Sequence, residues 1–134
     1  MTTVTHINPP DMHSNPAYSQ AVRIPAGYDT LHIGGQNGTD ATGSLVGPDL
    51  KSQSRQALLN IQSCVRAAGG DLENIVKWTI FIKAGEPLQE GFAAFQEIWG
   101  RRPNPPAITG VFVSGLAVPG ALVEIEAIAA LPPE

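Results

Sequence analysis

One cysteine, Cys64, stands in the 134 residues, so no disulfide can form within the chain. Charge is scarce as well: Asp, Glu, Lys and Arg make up 15% of the residues, and 8 Lys and Arg face 12 Asp and Glu, for a net charge of -4. No basic cluster exceeds the pair Arg101–Arg102, whereas a nucleic-acid footprint needs a basic stripe, so no DNA or RNA partner is expected. No apolar run approaches the roughly 20 residues of a membrane span, and no cationic start leads into an apolar segment. The chain reads as soluble and cytoplasmic, with no membrane partner. Missing too are the phosphate-binding GxxxxGK[ST], the dinucleotide GxGxxG and any Cys/His zinc pattern, and Ser114-Gly-Leu is not a nucleophile elbow. His6 and His13 lack partners at ligand spacing, and His32 merely alternates with Leu31 and Ile33, so neither a metal nor a cofactor is expected.

What is present suits one domain over residues 1–134, with 43% hydrophobic residues for a single core. Residues 1–17 hold three prolines and little periodicity, which predicts an extended N-terminal arm. The runs Tyr18–Ile24 and Thr30–Gly35, separated by Pro25-Ala-Gly-Tyr-Asp, predict a hairpin. From Asp49 to Ala68 a helix is expected, capped by Asp49 and stopped by Gly69-Gly70. Leu50, Ser54, Ala57, Leu58, Ile61, Val65 and Ala68 fall on its inner stripe and Gln53 on its polar side. Cys64, beside that stripe, is expected to be a buried structural thiol. Ile75–Lys83 is rich in β-branched and aromatic residues and reads as a strand. Pro87–Trp99 reads as a second helix with Leu88, Phe92, Phe95 and Trp99 on one stripe. Two final strands, Ala107–Ser114 and Leu122–Ala129, complete the order ββαβαββ of an α+β domain, two helices covering one face of a mixed sheet.

The last of these strands carries two carboxylates in an apolar run. Glu124 and Glu126 point one way; Val123, Ile125, Ala127 and Ala129 point the other. If the glutamate face meets water, the strand is simply amphipathic. If another subunit covers that face, a carboxylate in a cleft becomes a candidate for proton transfer. A low-charge sheet face bearing His32, Glu124 and Glu126 among apolar residues fits oligomerisation.

The motifs Tyr18-Ser-Gln-Ala-Val, Gly34-Gly-Gln, Ala67-Ala-Gly-Gly, Ile75-Val-Lys-Trp-Thr-Ile-Phe-Ile, Pro106-Ala and Val123-Glu-Ile-Glu-Ala-Ile-Ala, in this order and spacing, resemble the RidA/YjgF family of enamine/imine deaminases from Tyr18 to Ala129. The resemblance implies a chorismate-mutase-like fold and a homotrimer with a central barrel and small-molecule clefts between neighbouring subunits. It implies Glu124 as the group that activates water and Tyr18 as its catalytic companion. Gly34, Gly35, Phe92, Ile108, Thr109 and Gly110 are the implied substrate-binding positions, with the N–H groups of Gly35 and Thr109 available to an oxyanion.

Departures from the pattern matter as much. Ile108 stands where deaminating members carry an arginine that pairs with a substrate carboxylate, Gly34 where a serine is usual, Gly110 for a cysteine and Phe92 for an asparagine. No aliphatic group replaces an arginine fork, unless Arg101 or Arg102 swings in. Weak or absent activity on 2-imino acids is therefore expected, with a neutral imine, enamine, carbamate or amide as the substrate class. The alternative is a non-catalytic trimer that binds a metabolite or regulates a partner. Ribonuclease activity, a further association of the family, conflicts with the acidic charge.

Overall fold

The computed structural model describes residues 3–134. In chain order its elements are β1 (Thr5–Ile7), β2 (Ala21–Arg23), β3 (Asp29–Gln36), α1 (Leu50–Ala67), a 3-10 turn (Leu72–Asn74), β4 (Ile75–Lys83), α2 (Leu88–Trp99), β5 (Ala107–Val113) and β6 (Val123–Leu131). Four strands form one mixed sheet in the order β3-β6-β4-β5. β6 runs antiparallel to both neighbours, whereas β4 and β5 are parallel and joined by the α2 crossover that parallel pairing requires.

Both helices lie on one face of this sheet. The expected stripe of α1 is buried from Leu50 to Val65, and it packs against β6, β3 and α2. Phe95 of α2 meets Trp78 of β4 edge-on, with ring centroids 5.8 Å apart, and stacks on Trp99. Ile33, Trp78, Ile82, Val123, Ile125, Ala127 and Ala129 supply the sheet side of the core. The opposite face, with His32, Lys77, Thr79, Phe81, Glu124 and Glu126, carries no helix; the cross-strand pairs Phe81–Glu124 and Thr79–Glu126 lie on it.

Three expectations need correction. β2 pairs with β1 of the arm and not with β3, so the hairpin is not formed. Ser19 explains the choice: buried, it donates its hydroxyl to the Pro105 carbonyl and its N–H to that of Pro106, and its Oγ meets His6 Nδ1. That tether holds the Tyr18–Arg23 segment beside the arm and the proline connector. Cys64 is exposed, because in the last turn of α1 only Val65 still reaches the core. Gln53 is buried, not solvated: its amide donates to the carbonyls of Gly47 and Gly120 and accepts the Leu122 N–H at 2.8 Å. Gly38 lies against the backbone of Gln53, where a Cβ would collide.

A second polar knot joins the two helices' C-terminal ends. Asp71 accepts the Leu72 N–H and the side chains of Gln62 and Arg66, and Arg102 lies 3.8 Å from it. Arg102 also donates to the carbonyls of Ile98 and Trp99, so it is engaged in closing α2. Burial pushes the Asp71 carboxyl up, but the Gln62, Leu72 and Arg66 hydrogen bonds together outweigh it and hold it below its ordinary value.

Gln53→Leu removes three hydrogen bonds to backbone groups and should lower unfolding free energy by about 2–4 kcal/mol in urea titration. A loss within ~0.5 kcal/mol would show that this clasp contributes little. For Asp71, a carboxyl lowered in the fold stabilises above its unfolded value and loses that contribution as pH falls through its folded value. Asp71→Asn should therefore cost about 1 kcal/mol at pH 7 and much less near pH 3, read from urea curves at both pH values.

Candidate functional site

Tyr18, Phe92, Ile108 and Gly110, far apart in sequence, line one cavity of about 220 Å³ between α2 and the helix-covered face of the sheet. Ile108 and Gly110 reach it because they stand in register with Trp78 and Ile80, whose side chains point to the core. Tyr18 is placed by the Ser19 tether and by a short bridge from Asn15 to Tyr18; its hydroxyl meets His13 Nε2 at 3.0 Å. Phe92 comes from α2, where the predicted stripe divides: Phe95 and Trp99 are buried, whereas Leu88 and Phe92 are 51% and 46% exposed at the rim. No charged side chain lines the cavity.

Gly34, Gly35, Thr109 and Glu124 lie elsewhere. Glu124 stands on the open face opposite Phe81, and Asn37 Nδ2 donates to its Oε1 at 3.5 Å and to the Val123 carbonyl at 2.9 Å. The β3–β6 register breaks between Ile33 and Gln36, so Gly34 and Gly35 are out of the ladder. A side chain at Gly35 would run into the Glu124 carboxylate; glycine leaves that space free. Gly34 borders a cleft of about 200 Å³ with His32, Lys77, Thr79 and Glu126 on the same face. Thr109 accepts from Lys77 Nζ beside Thr79.

Within one chain the predicted residues thus fall into two groups on opposite faces of the sheet. The pairs Phe81–Glu124 and Ile80–Ile125 show why: neighbouring positions of β6 face opposite sides. Sequence reasoning missed Asn37, which holds Glu124, and Ser54, which lines the cavity. Neither had a signal, since Asn37 sits in a Gly-rich loop and Ser54 on an ordinary apolar stripe. Among the described residues no three His, Cys, Asp or Glu side chains gather as a metal site. Likewise, no helix among them is long and apolar enough to cross a membrane.

A family model described as Endoribonuclease L-PSP matches residues 10–131. The chain belongs to the RidA/YjgF family. A RutC family protein of Pyrococcus horikoshii is 39% identical over 113 residues, covering 84% of this chain and 85% of that protein. A 2-iminobutanoate/2-iminopropanoate deaminase of Rattus norvegicus is 35% identical over 116 residues, 84% of this chain and 79% of its own length. YyfB of Yersinia pestis, a Rid-family protein of unknown function, has a TM-score of 0.85 at 32% identity, covering 97% of this chain and 100% of that one. The mixed sheet with two helices on one face is the chorismate-mutase-like arrangement of RidA/YjgF proteins. Phe92, Ile108 and Gly110 share the cavity, while Gly34 lies on the open face.

Proposed function

We propose that the protein hydrolyses a small, uncharged C=N compound, an imine or its enamine tautomer, with carbamates and amides as further candidates, at clefts between subunits of a homotrimer. The observation that carries this is the charge-free cavity beside Ile108 and Gly110. The 2-iminobutanoate/2-iminopropanoate deaminases among the relatives support the reaction class. Their named substrates carry a carboxylate, and a carboxylate desolvated in this cavity would find no cationic partner. Because Glu124 and the cavity occupy opposite faces of one chain's sheet, a shared site requires the open face of one protomer to meet the cavity mouth of the next.

In this reading Glu124 takes a proton from water as the water oxygen bonds to the C=N carbon, and passes that proton to the nitrogen to give a neutral carbinolamine. Glu124 then takes the carbinolamine's hydroxyl proton and returns it to the nitrogen as the C–N bond breaks, releasing ammonia or an amine and leaving a carbonyl compound. Asn37 keeps the Glu124 carboxylate oriented, Tyr18 hydrogen-bonds a polar atom of the substrate, and the N–H groups of Gly35 and Thr109 serve the carbinolamine oxygen as it loses its proton and becomes the carbonyl.

Glu124→Gln should reduce release of ammonia from a neutral aliphatic imine by at least about 100-fold, with the oligomer unchanged in size-exclusion chromatography. Unchanged turnover would remove Glu124 from the mechanism, and binding without turnover in the parent protein would make it a binding protein. Ile108→Arg should raise kcat/KM for 2-iminopropionate, generated in situ by an amino-acid oxidase, by about 10-fold or more. Efficient 2-iminopropionate hydrolysis by the unaltered protein would overturn the proposal of an uncharged substrate.

A further inference from the structure

The cavity wall contains one polar group that the fold leaves unsatisfied. Ser54 is 3% exposed on the inner stripe of α1, it lines the cavity, and its Oγ has no hydrogen-bond partner. A helical serine can turn back to the carbonyl one turn earlier, but this one does not. A buried hydroxyl left alone costs about 1–3 kcal/mol, so its presence among Leu58, Ile80, Ile82 and Phe95 needs a reason.

The facing helix supplies a second, independent observation. α2 carries Gly91 within its length, although glycine in a helix interior costs about 1 kcal/mol relative to alanine. A Cβ at Gly91 would make ordinary contact with Leu50 Cδ2 at 3.6 Å and Ser54 Oγ at 3.7 Å, and Gly91 itself lines the cavity, so glycine leaves a methyl-sized space open beside the unpaired hydroxyl. Of the cavity's other polar side chains, Asn15 accepts the Ala17 N–H and the Tyr18 hydroxyl meets His13, so Ser54 is the one with no protein partner at all. Water stays in such a pocket only with 2–4 polar partners, which the apolar walls around Ser54 do not offer.

We infer that Ser54 is a ligand-binding residue, and that the cavity accepts an apolar, ring-sized or branched substituent bearing a neutral hydroxyl, carbonyl or amide group that hydrogen-bonds Ser54 Oγ. This rests on the proposal above that the cavity is the substrate side of the cleft, and it names the chemistry of the substrate's non-reacting end. The volume is adequate: about 220 Å³ is available, and an apolar protein cavity of about 150 Å³ holds benzene. Exposed Leu88 and Phe92 set the mouth, so the substituent enters past two apolar side chains. Small aliphatic imines would leave Ser54 unpaired and bind less well than such substrates.

The probes are benzyl alcohol, ethylbenzene and benzoate, titrated into the full-length protein and into Ser54→Ala, with affinity read from amide chemical shifts, including those of Ser54 and Gly91. Benzyl alcohol should bind the parent protein, and Ser54→Ala should weaken it by about 3- to 10-fold while leaving ethylbenzene unchanged or tighter. Alanine is the better helix former and leaves no orphan hydroxyl, so ligand-free Ser54→Ala should melt about 3 °C higher. That rise also establishes that a binding loss is not misfolding. No change in benzyl alcohol affinity, an equal loss for both neutral probes, or failure of both to shift Ser54 and Gly91 would overturn the inference. Benzoate binding more tightly than benzyl alcohol would instead overturn the uncharged-substrate proposal. An intact probe pattern with turnover independent of Glu124 would support the pocket and fail only the catalytic mechanism.

Discussion

β6 sits between β3 and β4, and its strict alternation organises the molecule. One set of its side chains, Val123, Ile125, Ala127 and Ala129, is sealed under α1 and α2. The other set, including Glu124 and Glu126, emerges on a face that no helix covers. A one-residue slip would bury the glutamates and expose the core residues, so burial itself fixes the register. Hydrogen bonding to strands on both sides holds it there, and Gln53 clamps the strand's approach through the Leu122 N–H.

The same alternation divides the candidate site. A carboxylate and an apolar pocket that belong to one proposed reaction lie back to back across a single sheet, so neither can serve the other within one chain. Self-association follows as a requirement of the proposed chemistry. The local support on each side differs in kind. Glu124 has space because Gly35 has no side chain, and orientation from Asn37. The cavity is shaped by what is missing: no charge at Ile108, no side chain at Gly91 and no partner for Ser54.

Much of the fold was legible because periodicity records burial. The α1 stripe as far as Val65, the Asp49 cap, the apolar run of β4 and the two-sided pattern of β6 appear as predicted, whereas Ala68, expected on that stripe, is the exposed C-cap. Where neighbours in space decided the outcome, local pattern failed. Whether Tyr18–Arg23 pairs forward or backward depends on the Ser19 tether to Pro105 and Pro106, more than 80 residues away. Gln53 looks like a solvated helix residue until the Gly47 and Gly120 carbonyls arrive beside it. Phe92 shares a stripe with Phe95 and Trp99, yet α2 tilts it to the cavity rim.

By itself the sequence determined the two helices, the four strands of the main sheet and the family to which the chain belongs, because these depend on residue order over a few turns or on ordered motifs. Tertiary structure alone decided that Ile108, Gly110, Phe92 and Tyr18 share one pocket while Glu124 faces away from it. It also left Ser54 buried without a partner. Such facts arise from the packing of segments distant in the chain, and whether a polar atom is satisfied depends on which groups that packing brings within about 3 Å.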